Sequence, residues 1–120
     1  MALRTTEHEH LWDDLYGDTA VRGRIQEAQA LFRSGRMDKA LRSIEETRQQ
    51  FGDSPEVLLE AAKLHCVALR MTRRMEAGLA QRADGYLRQL EGLRPSDARL
   101  HQMRRYHAET LRLLDASPPA

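Results

Sequence analysis

The side chains able to do chemistry in this 120-residue chain are few, and their spacing argues against most of the chemistry they could do. His8 and His10 flank Glu9, which could offer two imidazoles and a carboxylate to zinc or nickel. Two such ligands with no further donors nearby do not close a site, so the stretch reads as solvated and polar. His65 stands beside Cys66, but neighbouring residues of a helix point about 100° apart, so this imidazole cannot serve the thiol as a base. Cys66 reads instead as a small buried hydrophobe. His101 and His107 are six residues apart, off the helical spacings of three, four and seven, and share no metal face. The chain has no glycine-rich phosphate loop, no Gly-x-Ser-x-Gly elbow and no evident carboxylate pair. The expectation is therefore a protein that is not an enzyme, with no catalytic residues, no metal and no cofactor.

Arginine is the abundant functional group, 17 residues against two lysines. Arg70, Arg73 and Arg74 form one cluster and Arg99, Arg104 and Arg105 another. Residues 1 to 18 carry Arg4 against Glu7, Glu9, Asp13, Asp14 and Asp18, a net −4, so the rest of the chain holds +5. An acidic head thus precedes a basic body. The arginines invite a nucleic-acid reading. Interleaved acids, few aromatics and an isoelectric point near 8.0 weigh against it, and favour solvated helix faces or attraction to an acidic protein segment.

One domain is the default for 13.8 kDa, and such a chain buries roughly two-thirds of its unfolded surface. A single cysteine excludes an internal disulfide, no basic and then apolar leader opens the chain, and no apolar run approaches the ~18 residues of a membrane span. A cytoplasmic protein is expected. The wealth of arginine, alanine and leucine suits helices and a bacterial origin.

The elements follow from periodicity and boundary chemistry. Asp18 or Thr19 can cap a first helix whose apolar positions are Val21, Ile25, Ala28, Leu31 and Phe32. Ser34-Gly35 ends it. A second helix carries Met37, Ala40, Leu41, Ile44, Thr47 and Phe51 on one stripe, with Arg42, Glu45, Glu46 and Gln49 turned largely to water. Gly52, Ser54 and Pro55 supply a stop, an N-cap and a first-turn proline. The third helix, Pro55 to about Met75, is apolar around most of its first half and should be the central one. Gly78 opens a fourth helix with Leu79, Ala83, Tyr86, Leu87, Leu90 and Leu93 inward, ending near Arg94-Pro95. Ser96 or Asp97 caps a fifth, to about Asp115, with Leu100, Met103, Tyr106, His107, Thr110, Leu111 and Leu114 inward. No stretch alternates as a strand would, so the fold is all-α: about five helices in antiparallel hairpins. The chain divides into an acidic tail (1–17) with a short amphipathic segment, a helical domain (18–116) and a C-terminal tail (117–120).

Two of these hairpins share a pattern. Gly35, Ala40, Ile44 and Thr47 recur as Gly78, Ala83, Leu87 and Leu90, with offsets of 0, 5, 9 and 12 residues each time. With Ala28 and Leu31 before the first copy and Pro95 closing the second, the pattern resembles the tetratricopeptide repeat over residues 20 to 115. The two glycines lie 43 residues apart where that family repeats every 34 or so, and Arg24, Glu27 and Thr47 stand where its aromatic, leucine and small residue are expected. The resemblance implies a right-handed superhelical stack of hairpins, a concave groove that takes a peptide or helix of another protein, and no catalysis. It places Arg22, Ile25, Gln29, Phe32 and Arg33 in the groove. The clamp by which some members hold C-terminal carboxylates has no matching asparagine and lysine.

The resulting expectation is a protein-binding module, an adaptor or small chaperone, with Ile25 and Phe32 as apolar anchors. Arg22, Arg33 and the cluster Arg70, Arg73 and Arg74 would steer an acidic or amphipathic partner segment. The alternatives are a structural homodimer joined through the apolar excess of the third and fifth helices and, with less support, a nucleic-acid-binding regulator. Leu11, Trp12, Leu15 and Tyr16 form an amphipathic turn among acids. That segment can dock on its own bundle as a further helix, present itself to a partner, or occupy the groove until a partner arrives.

Overall fold

Local boundary chemistry fixes where each helix begins and ends. The computed structural model describes residues 19–74 and 78–116. Among these residues the chain is all-α, with five helices packed as sequential antiparallel pairs: α1 (19–33), α2 (Met37–Phe51), α3 (Pro55–Thr72), α4 (Leu79–Leu93) and α5 (Ala98–Ala116). The acidic segment with Leu11, Trp12, Leu15 and Tyr16 lies outside the described residues, as do Met75 to Ala77 and the final four. Gly35 turns α1 into α2 at φ +84°, while the Arg36 and Gly35 N–H groups donate to the Leu31 and Phe32 carbonyls at 2.9 and 3.1 Å. This is the glycine closure that satisfies the last carbonyls of a helix. Ser54 caps α3 by accepting from the Val57 N–H at 3.3 Å, ahead of Pro55. The Asp97 carboxylate accepts from the Arg99 N–H at 2.8 Å at the start of α5.

The third helix is shorter than its periodicity suggests. It ends at Thr72 rather than near Met75, and Arg73 takes the left-handed conformation at φ +57°. The Thr72 hydroxyl explains part of this stop, since it donates to the Ala68 carbonyl at 2.8 Å and accepts from the Arg74 N–H at 3.3 Å. A side chain that bonds its own backbone in this way offers an alternative to the next helical turn.

Packing centres on α3, which touches α2, α4 and α5 and buries ten of its eighteen residues, so it is covered on most sides. The recurrent pattern marks buried positions in both hairpins. Ala40, Ile44 and Thr47 of α2 and Ala83, Leu87 and Leu90 of α4 are all buried, and Gly78 repeats the positive φ of Gly35. Small residues at Ala28, Ala61 and Ala83 let the backbones approach, and Leu58, Leu87 and Leu100 fill the space beside them. In α5, Leu100, His107 and Thr110 are buried while Met103, Tyr106, Leu111 and Leu114 remain partly accessible. Leu93, expected inward, is exposed at the last turn of α4.

A polar cluster ties α2, α3 and α4 together. The Tyr86 hydroxyl donates to Glu45, the Arg48 guanidinium lies 4.6 Å from the Tyr86 ring centroid, and Arg48 Nε donates to Asp53 Oδ1 at 2.8 Å. Glu45 is thus partly buried rather than turned to water. The ring of fully buried His65 meets the Tyr86 ring edge-on at 5.1 Å. Its Nδ1 lies 2.7 Å from the Ala61 carbonyl and so carries the proton, leaving Nε2 as the unprotonated nitrogen of a neutral imidazole. Burial pushes the His65 pKa down, and pushes the Cys66 thiol up to about 12, which keeps that thiol inert.

Two predictions follow from this packing. Because the folded state holds His65 below its unfolded pKa of about 6.5, the unfolded chain binds the extra proton first, and stability is lost as pH falls below that value. Buried His107 shifts the same way. Urea unfolding at pH 7.5 and 5.5 should show this loss, and His65→Phe should reduce its steepness. The second concerns α4, where Gly85 and Gly92 have nothing within 4 Å of an added Cβ. Burial of Leu87 and Leu90 contributes about 1.5–3 kcal/mol each, enough to hold a helix that each glycine weakens by about 1 kcal/mol. Gly85→Ala and Gly92→Ala should each raise unfolding stability by about 1 kcal/mol in denaturant titrations.

Candidate binding groove

The side of α3 that the other helices leave uncovered carries Leu59, Lys63 and Val67, spaced four apart and therefore stacked along one face, with Glu60 beside them. Two clefts share this floor. One, of about 550 Å³, lies between α3 and α5 and is walled by Arg99, Gln102, Met103 and Tyr106. The other, of about 290 Å³, lies between α3 and α1 and is walled by Gln29, Phe32 and Arg33. Glu60, Lys63 and Val67 belong to both, so the clefts are two halves of one groove bounded by α1 and α5. Two antiparallel reversals make α1 parallel to α3, and two more make α5 parallel to α3. Three parallel helices therefore lie side by side along the groove.

The wall on the α5 side is braced from within. The Arg70 guanidinium stacks 3.7 Å from the Tyr106 ring centroid, with Nε donating to the Thr110 hydroxyl at 2.7 Å and Nη2 to the Tyr106 carbonyl at 3.0 Å. Arg99 at the mouth is held by Asp97 at 3.0 Å, and this pairing keeps the Asp97 carboxyl below its usual range. Arg33 and Lys63 stand exposed on the rim. The floor contains one buried carboxylate, Glu60, whose Oε1 finds no hydrogen-bond partner among the described residues.

The expected site residues divide. Gln29, Phe32 and Arg33 come together in the groove. Arg22 is exposed near the start of α1 and lines neither cleft, while Ile25 packs partly buried against the core. Arg70 clasps α3 to α5. Arg73 sits at the left-handed end of α3, and Arg74 faces Gly35 to Lys39 at the turn between α1 and α2. The floor and far wall, including Glu60, Lys63, Met103 and Tyr106, were not among the expected site residues. A signal for the floor existed, because Glu60 and Lys63 are charges set within the apolar first half of α3.

No group of three or more histidine, cysteine, aspartate or glutamate side chains is placed to hold a metal ion among the described residues, and no described helix is long and apolar enough to cross a membrane. Removing the clasp should loosen α5. Arg70→Ala is expected to cost about 2 kcal/mol, typical of charged hydrogen bonds lost from a partly buried site, as measured by equilibrium denaturation. In comparisons with protein-family models, curated proteins and solved structures, nothing matches this chain.

Proposed function

We propose that this protein is a tetratricopeptide-like helical module that binds a segment of another protein, as an adaptor or small chaperone. The observation that carries the reading is the groove: an α3 floor with Leu59 and Val67 partly accessible, flanked by parallel walls from α1 and α5. Apolar side chains of a helix or extended peptide would seat on Leu59, Val67, Phe32 and Met103, the helix-in-groove mode in which anchors give affinity. Exposed Arg33 and Lys63 would favour acidic residues beside those anchors and speed their approach.

The repeated glycine, small and large residues of the two hairpins support the tetratricopeptide-like architecture, because both copies hold equivalent buried positions. The basic half of the chain gives less support to nucleic-acid binding than its composition suggests. Arg88, Arg99 and Arg104 pair with Asp84, Asp97 and Glu91, and Arg70 stacks on Tyr106. Phosphate contacts need free cations aligned along a backbone.

Affinity capture from a bacterial lysate, comparing the full chain with Val67→Asp and with Arg33→Glu/Lys63→Glu, tests the reading. A specific polypeptide retained by the unaltered chain should be lost with the first variant and weakened, in a salt-dependent way, with the second. Equal capture by all three would reject the groove as the binding face.

A further inference from the structure

The groove contains a buried carboxyl side chain with one oxygen unpaired. Glu60 is 8% exposed, it lies where the two clefts meet, and its Oε1 is out of reach of any hydrogen-bond donor among the described residues. An acceptor shut off from water in this way is costly, and a donor brought in by a ligand would recover that cost. The surface around it is apolar at Leu59, Val67, Phe32 and Met103 and cationic at Arg33 and Lys63. A matching occupant needs an apolar body for the cleft, a donor for Glu60, and acids for the rim. An arginine or lysine would supply the donor but would meet the like charges of Arg33 and Lys63 on entry. A tryptophan supplies body and donor together, since its indole N–H donates and accepts nothing.

The N-terminal segment of this chain has that chemistry. Leu11-Trp12-Asp13-Asp14-Leu15-Tyr16 contains the only tryptophan of the protein, flanked by acids, in a stretch of net charge −4. It also lies within reach. Gln29, on the groove wall, is ten residues into α1 from Thr19 and so about 15 Å along its axis. The seven residues from Trp12 to Thr19 extend to about 23 Å. Tethering raises the local concentration of such a segment to about millimolar, so modest contacts suffice to seat it.

We propose that residues 11–16 dock in the groove of their own molecule, with the Trp12 indole in the cleft donating to the Glu60 carboxyl group, and Asp13 and Asp14 pairing with Arg33 and Lys63. This rests on the reading of the groove as a segment-binding surface, and it makes the tail the occupant that an outside partner must displace. Tail and partner then compete, and binding is autoinhibited.

Trp12 is its own reporter. In the full chain its fluorescence should be shifted to short wavelength and several-fold protected from acrylamide, at concentrations where light scattering gives the monomer mass. Val67→Asp and Met103→Asp, at partly accessible groove positions, should return the emission to its solvent-exposed value with helical circular dichroism unchanged. Arg33→Glu/Lys63→Glu changes only exposed side chains and should weaken docking without touching the fold. Glu60→Leu should lower the quenching protection, whereas Glu60→Gln, which retains an acceptor oxygen, should preserve it. Solvent-like emission in the unaltered chain, or emission indifferent to every groove substitution, would overturn the proposal. Short-wavelength emission that develops only as concentration rises would also overturn it, by assigning the segment to a second copy. Lysate capture lost in Val67→Asp while Trp12 stays indifferent would retire the docked tail and leave the groove standing as a partner site. Loss of neither would retire both.

Discussion

A central helix that is apolar on most of its circumference must be covered on most of its circumference. That requirement, imposed by α3, organises the rest of the molecule. Val57, Leu58, Ala61, Ala62, Leu64, Cys66, Ala68 and Leu69 are buried and occupy several faces of α3 rather than a single stripe. One antiparallel neighbour could cover only part of that surface. Covering it takes α2 and α4 on one side and α1 and α5 on the other. The short glycine turn at Gly35 helps to make this arrangement possible, because it reverses the chain between α1 and α2 within a few residues, and Gly78 takes the same positive φ at the start of α4. The groove is the remainder of the same constraint: α1 and α5 flank α3 without closing over Leu59, Lys63 and Val67.

Apolar coverage alone would allow these helices to slide. Two sets of polar contacts give them a register. Glu45 and Arg48 engage Tyr86, with Asp53 holding Arg48 and His65 packed against the ring, and so align α2 with α4 across α3. Arg70, Tyr106 and Thr110 align α3 with α5. Such contacts add modestly to net stability, since each replaces hydrogen bonds to water. Their directionality is what packed leucines lack.

Electrostatics then separates the arginines engaged within the molecule from the exposed cations of the groove rim. Arg48, Arg70, Arg88, Arg99 and Arg104 are engaged with acids or aromatic rings of their own molecule. On the groove rim, Arg99 is exposed but tied to Asp97, while Arg33 and Lys63 are exposed beside an apolar floor with Glu60 buried in it. In the proposed function this combination selects for acidic segments that also bring a hydrogen-bond donor, a narrower class than the basic character of the chain implies.

The sequence by itself determined the helices, because what starts and stops a helix acts within about four residues. Gly35, Gly52, Ser54-Pro55, Gly78 and Asp97 each mark a boundary at which the chain does turn or cap. The equivalence of the two hairpins was also legible, since Ala40, Ile44 and Thr47 match Ala83, Leu87 and Leu90 in spacing and in burial. The end of α3 was less so, because Thr72 competes for backbone bonds that periodicity does not register. Of the five groove positions that the resemblance implied, Gln29, Phe32 and Arg33 line the cleft on the α1 side and Arg22 and Ile25 do not. The floor was legible only as the two charges, Glu60 and Lys63, that interrupt the apolar first half of α3, and these do not say which face the neighbouring helices will leave uncovered. Nor could the sequence show that Arg70 is committed to Tyr106 and Thr110, residues 36 and 40 positions away. Only tertiary structure decided those points, because they depend on how five helices cross and how far their side chains reach, quantities set by packing between segments distant in the chain.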